Sequence, residues 1–339
     1  MECAACGGVW ERVPELVTRL LKAAASYEWK TFRVGVRLKG DFENEESRAL
    51  KSALKQSLGQ ALEQASQKNV DVRAPDLEFT IELPKLRFSL SSAPVFIEGK
   101  YRKLVRYLPQ SNWTCRSCNG KGCLDCGFKG RHFSSSVEEL IAFPLKVFLS
   151  ASQIYLHAGG REDVDVRALG EGRPFVVEAA NPRRRFFPLR DAEQAVNTYS
   201  NPFVEVAFTE FAARRRVSEL KASSETNYKV YRGKIVFQLT PRALMGSDVL
   251  ELSNLELAQR TPLRTLGARS DLVRARKVEH ITVRKLDDMT AEFELSCQGG
   301  TYVKEFISGD DGRTQPNLSQ ILGTPSRCVE LDLVDVHQR

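Results

Sequence analysis

Apolar residues along this chain recur with two different periods, and the change from one to the other divides the sequence. Val13, Leu16, Val17, Leu20 and Leu21 fall on one helical face, so residues 11–27 read as a helix. Phe32, Val34, Val36 and Leu38 then alternate with polar neighbours, as a half-buried strand does. Residues 43–68 are rich in Ala, Leu, Gln, Glu and Lys with no proline and a single glycine, which predicts a second helix. Alternation returns at Leu77, Phe79, Ile81 and Leu83; residues 87–90 are short and extended, and another extended run follows at 94–98. The mixture predicts a small α/β domain over residues 30–110.

Ser136 is placed to cap a helix with Glu138 and Glu139 in its first turn, running to about Leu149. Pro144 should kink or split that helix. From residue 150 onward the period is mostly two: 153–157, 175–177, Val204 with Val206 and Phe208, 228–231 leading into 235–237, then 278–283, 291–296 and 328–336. Polar helical stretches intervene near 190–198 and 214–221. The pattern predicts an α+β architecture, with a mixed, mostly antiparallel sheet flanked by helices in the second half.

Between these halves, residues 113–131 hold four cysteines and four glycines and cannot supply an apolar core. Cys115, Cys118, Cys123 and Cys126 form two Cys-x-x-Cys turns, each able to offer two thiolates to a tetrahedral ion. A structural zinc is expected, because four thiolates leave no open position for catalysis. Cys3 and Cys6 make a third such turn, so a site built from them and one central pair is the alternative. The central run is also similar to the zinc modules of Hsp40 chaperones, where adjacent pairs bind with more distant ones.

Length and charge narrow the reading further. At 339 residues there is room for two cores, and no apolar run is long enough to span a membrane. Without a signal-peptide pattern at Met1, a cytoplasmic protein is expected. The net charge of +7 is modest, but Arg183–Arg185, Arg214–Arg216 and the group Lys100, Arg102, Lys103, Arg106 are dense and partly interleaved with aromatics. Such clusters fit a surface that meets RNA phosphates.

The segment from Gly160 to Gly170 packs Arg161, Glu162, Asp163, Asp165 and Arg167 between glycines, directly after the alternating run 153–157. A strand ending in such a loop can present one carboxylate while an arginine keeps it ionised. The loop resembles the Arg-x-Asp active-site loop of pseudouridine synthases. Further blocks stand in order around it: Pro94 to Arg106, Ser136 to Ile141, Gly172-Arg173-Pro174-Phe175, Asn181-Pro182-Arg183, Gly299-Gly300-Thr301-Tyr302-Val303-Lys304 through Asp310, and Gly312-Arg313-Thr314. With them the chain resembles, from about residue 1 to 336, the Pus-ten family of tRNA pseudouridine synthases, and its cysteine-rich insert is similar to that of the archaeal branch.

The resemblance implies a THUMP-type RNA-binding domain with the zinc module over residues 1–135, and a pseudouridine synthase domain over 136–339. It implies an isomerase acting on tRNA, at the T-loop uridines conventionally numbered 54 and 55, with no catalytic cofactor and no bound nucleotide. Asp163 would be the nucleophile; Tyr231 and Tyr302 would contact the base. Lys304, or Arg161, would hold Asp163 charged. Asp165 is the rival to Asp163 and is expected instead to pair with Arg167 or Arg173; His157 is expected to be structural. Arg183–Arg185 and Arg214–Arg216 are assigned to tRNA phosphates. A THUMP-containing methyltransferase or thiolation enzyme would need a Gly-rich nucleotide loop after a parallel strand, and none is present. A tRNA-binding protein without isomerase activity is the other alternative.

Overall fold

The structure, a computed structural model, describes residues 8–38, 45–267 and 269–337, so Cys3 and Cys6 lie outside the described residues. The chain divides into two compact units that alternate along the sequence: Met1–Phe96 with Leu145–Tyr155 and Glu178–Ala192, and Ile97–Pro144 with Leu156–Val177 and Glu193–Arg339.

The first unit contains α1 (Val13–Ala24), β1 (Thr31–Leu38), α2 (Glu45–Ser66), β2 (Asn69–Val70), β3 (Leu77–Leu83) and β4 (Arg87–Ser92). Pro14 sits in the first turn of α1, where a missing N–H costs nothing, and Leu16, Val17 and Leu20 are buried as their spacing requires. Its sheet has the order β2-β1-β3-β4, with β1 parallel to β3 and β3 antiparallel to β4. Leu54, Leu58 and Leu62, spaced four apart on α2, are fully buried, as are Phe32, Phe79 and Ile81 from the sheet. Trp29, Phe32 and Phe79 meet edge to face at 5.7–6.1 Å between centroids.

The following elements are β5 (Val95–Lys103), α3 (Val137–Phe148), β6 (Gln153–Ala158), β7 (Arg167–Ala180), α4 (Leu189–Ser200), β8 (Val204–Ala212), α5 (Arg215–Thr226) and β9 (Tyr228–Phe237). Then come β10 (Val249–Arg260), β11 (Val273–Lys285), β12 (Thr290–Gln298), α6 (Val303–Ser308), β13 (Thr314–Gln315), α7 (Leu318–Leu322) and β14 (Ser326–His337). Ten strands form one sheet in the order β13-β10-β11-β12-β9-β14-β7-β5-β8, with β6 on β7. The pairs from β10 through β14 are antiparallel, and β14 runs parallel to β7, so the fold is α+β with a large mixed sheet. Ile235, Ile281, Val283, Phe293 and Leu295 face Phe306 and Ile307 of α6 across one core.

Two elements differ from expectation. Pro144 lies inside α3 without splitting it. β10 was not predicted, because its apolar positions change phase: Leu250 and Leu252 alternate, then Leu255 and Leu257 do so one step out of register. The change falls at Asn254, whose φ of 55° turns the backbone there. No helix among the described residues is long and apolar enough to cross a membrane.

Leu58 is 0 % exposed, so Leu58→Ala is expected to destabilise the first unit by ~2–5 kcal/mol. Urea denaturation followed by circular dichroism measures it.

Candidate active site and metal centre

β6 ends at Ala158 and β7 begins at Arg167, and the loop between them is held by its own carbonyls. Gly159 O accepts from Arg173 Nη1 (3.1 Å) and Gly160 O from Gln110 Nε2 (2.9 Å). Asp163 O and Val164 O accept from Lys103 Nζ (3.2 and 3.1 Å), and Asp165 O from Arg106 Nη1 (2.9 Å). Lys103 is 0 % exposed; burial pulls its pKa down to about 8 while Glu162 and Asp165 favour its charged form. Gly160 has φ +96°, and a Cβ there would stand 3.0 Å from Arg173 Nη1, so only glycine lets the loop pass this close.

Consecutive carboxylates then part company. Glu162 turns inward, where Arg173 Nε lies 2.6 Å from Oε2 and the Tyr101 hydroxyl donates at 2.9 Å. Burial, and then the charge of Glu162, push the Tyr101 phenol well above its usual pKa, so it stays a donor. Asp163 turns outward and keeps about a third of its side chain exposed (35%). Its Oδ1 lies 2.9 Å from Arg264 Nη1 and its Oδ2 3.3 Å from Lys304 Nζ. Burial alone would raise the Asp163 pKa, but Arg264 and Lys304 outweigh it and hold the carboxyl below its ordinary range. Arg264 is itself fixed by the buried Glu305, with Nε 2.6 Å from Oε1.

Of the residues predicted for the site, Asp163 and Lys304 are brought together directly. Tyr302 occupies the position just before α6, two residues before Lys304, and its hydroxyl accepts from Arg269 Nη1 at 2.9 Å. Tyr231 is half-buried on β9; burial first, then Cys297, Glu162 and Asp163, push its phenol upward against the opposing pull of Arg173. Arg161 does not reach Asp163: its guanidinium lies 5.3 Å from the Trp113 ring centroid. The partner expected of Arg161 is supplied by Arg264, from a short turn between β10 and β11 that carries no local sequence signal. Asp165 pairs neither with Arg167 nor with Arg173 but with Lys304 at 2.6 Å. Arg167 pairs with Asp332 and Arg173 with Glu162.

The basic clusters divide: one arginine of each triplet is committed to an internal pair, while Arg183, Arg184 and Arg214 show no ion pair among the described residues. Arg185 pairs with Asp76 at 2.8 Å with its side chain 8% exposed, and Arg216 grips Glu98 through two bonds of 2.6 and 2.7 Å. Lys100 and Arg102 pair with Glu171 and Glu205, while Lys103 and Arg106 hold the loop. Much of the charge read as facing phosphates is consumed internally.

The sulfurs of Cys115, Cys118, Cys123 and Cys126 all lie within 4.8 Å of one another, with several pairs at 3.8–3.9 Å. Four ligands at the ordinary Zn–S length of ~2.3 Å in a tetrahedron have edges of about 3.8 Å, so the set fits zinc. Backbone N–H groups of Gly122 and Gly130 donate to Cys118 and Cys126 sulfur at 3.2 Å, as thiolates require. Gly130, at φ +70°, packs against the Gly120 carbonyl so closely that a Cβ would be 2.2 Å from it. The tight spacer between the pairs is closed in this way, and Cys3 and Cys6 are not needed for a complete set.

Comparison with known proteins adds four findings. A family model described as Pus10, C-terminal, matches residues 96–337. The tRNA pseudouridine synthase Pus10 of Methanothermobacter marburgensis is 41% identical over 98% of this chain and 86% of its own length. That of Archaeoglobus fulgidus is 37% identical over 99% of this chain and 95% of its own. Among solved structures, a Cbf5-Nop10-Gar1 complex matches 57% of this chain and 43% of the matched chain at 17% identity and a TM-score of 0.31, too loose a likeness to bear on the site.

Protein purified without chelator is expected to carry about one zinc per chain, as a closed tetrathiolate set would. Elemental analysis checks this, and Cys118→Ser should lower the content severalfold.

Proposed function

The chain belongs to the Pus10 family of tRNA pseudouridine synthases, and on that premise we propose that Asp163 is the nucleophile with which it converts T-loop uridines 54 and 55 of tRNA to pseudouridine. The observation that carries this reading is an outward carboxylate kept ionised between Arg264 and Lys304, on a loop whose carbonyls are tied down. A nucleophile needs its charge without losing its reach, and Asp163 has both. The target uridine must leave its stack, which costs a few kcal/mol and calls for aromatic surface. Tyr231 and Tyr302 are assigned that role.

The reaction is balanced within the substrate. The carboxylate adds at C1′ or at C6, the N1–C1′ bond breaks, and the base rotates. C5 then bonds to C1′, the C5 proton is lost, N1 gains one, and the carboxylate leaves. No group enters and no electron is exchanged, so no cofactor is needed for catalysis. Lys304 and Arg264 lower the energy of the free carboxylate, and so ease its departure in the last step. The four-thiolate set is read as a structural zinc site that orders residues 113–131. Residues 1–135, with the cysteine segment, are read as the THUMP-type RNA-binding part, and the cytoplasm as the place of action.

Unmodified tRNA transcript incubated with the protein should gain pseudouridine in the T-loop, mapped by carbodiimide-dependent primer extension. Asp163→Asn should lower turnover by about 10³-fold or more while tRNA binding persists; a wild-type lane without modification would sink the proposal. Arg264→Gln removes a charge that holds the Asp163 pKa down, leaving burial less opposed. The acid limb of the kcat/KM profile is therefore expected to move to higher pH, with the greatest loss of activity on the acid side.

A further inference from the structure

Among the described residues, Lys229 is the one buried lysine that the site described above does not use. It is 6 % exposed, and its ammonium makes no hydrogen bond or ion pair among the described residues. Its surroundings are cationic. A Cβ placed on Gly160 would be 3.3 Å from Lys229 Nζ and 3.0 Å from Arg173 Nη1, so both cations border the same glycine. Arg276 adds a third charge close enough to disfavour the ammonium, after burial and Arg173, and its Nε is buried without a partner. Gly300, at φ +81°, lies close against the same guanidinium; a Cβ there would be 3.1 Å from Arg276 Nη2.

No carboxylate nearby bonds the Lys229 ammonium, although Glu162 favours its charged form from a distance. Glu162 is spoken for by Arg173 and Tyr101, and Glu279 accepts from Ser296. Cys297, opposite Lys229 in the β9–β12 register, is pushed up to about 12 by burial and stays a neutral thiol. Burial pulls Lys229 itself down to about 8, low for a lysine yet charged at neutral pH. An uncompensated buried cation is unfavourable by several kcal/mol in general, so such a group is retained where an anion arrives to pair with it.

Position says which anion. Lys229 and Tyr231 are two apart on β9 and point to the same face, about 7 Å from each other along the strand. That interval matches the reach from a nucleobase to a phosphate of its own nucleotide. Resting on the assignment of RNA as substrate, we propose that Lys229, flanked by Arg276, seats the backbone phosphodiester beside the everted nucleotide while Tyr231 meets its base.

The probe is full-length tRNA assembled by ligation, with one uncharged methylphosphonate linkage on either side of the reacting uridine, read by equilibrium binding. Lys229→Met is expected to weaken binding of normal tRNA about tenfold and to reduce the slope of log affinity against log salt by about 0.7–0.9, one phosphate contact. Lys229→Arg should keep most of the affinity. One methylphosphonate should weaken wild-type binding by a similar factor and add no further loss in Lys229→Met. Because the substitution removes a buried unpaired charge, Lys229→Met should melt no lower than wild type.

Wild-type affinity and salt slope in Lys229→Met would overturn the proposal, as would losses from methylphosphonate that are equal in both proteins. Lower melting in Lys229→Met together with lost affinity in Lys229→Arg would make the residue structural and also overturn it. Inorganic phosphate that raises the melting point of wild type but not of Lys229→Met, with methylphosphonate tRNA bound normally, would assign the pocket to a free anion instead. Isomerisation is scored separately: tRNA held through this linkage but never modified would sink the synthase reading and leave this one standing.

Discussion

An aspartate that must stay charged, exposed and still can do so only if the backbone beneath it is immobilised by something other than the aspartate. In this protein that task falls to Lys103 and to the Glu162–Arg173 pair. Lys103 is buried with its ammonium on three carbonyls, two of them belonging to Asp163 and Val164. Glu162 and Arg173 are each 1% exposed in their side chains; Tyr101 donates to Glu162, and Arg173 Nη1 donates to Gly159 O. Breaking either would strand a charge in a dry interior, so the backbone on both sides of Asp163 is tied to groups that are costly to move.

A second consequence concerns how charge is divided. Several of the arginines that looked in the sequence like a face for nucleic acid are committed to carboxylates: Arg185 to Asp76, Arg216 to Glu98, Arg106 to Asp332. The cations that meet Asp163 sit elsewhere, at Arg264 and Lys304. Density of positive charge along a sequence therefore says little about which charges are free, because pairing is decided by residues a hundred or more positions away.

The same point marks how much was legible beforehand. Elements with an unbroken period, helical in α1 and alternating in β1, β3 and β12, could be read from that period alone, and the four cysteines announced their geometry through spacing. Asp163 and Lys304 were readable as motif residues. Arg264 was not: it lies in a short irregular turn, and its role exists only because that turn is carried beside the loop between β6 and β7. β10 was missed for a related reason, since a single left-handed residue, Asn254, shifts the face of every side chain after it.

The stacking of Arg161 on Trp113 ties together two parts that would otherwise be separate subjects. Trp113 opens the cysteine-rich segment, which has no core of its own, and Arg161 stands two residues before Asp163. A change at the sulfurs would thus reach the loop that carries Asp163 through one stacked pair. The cysteine segment and the loop share a border at that contact, and disorder in the one would be passed to the other.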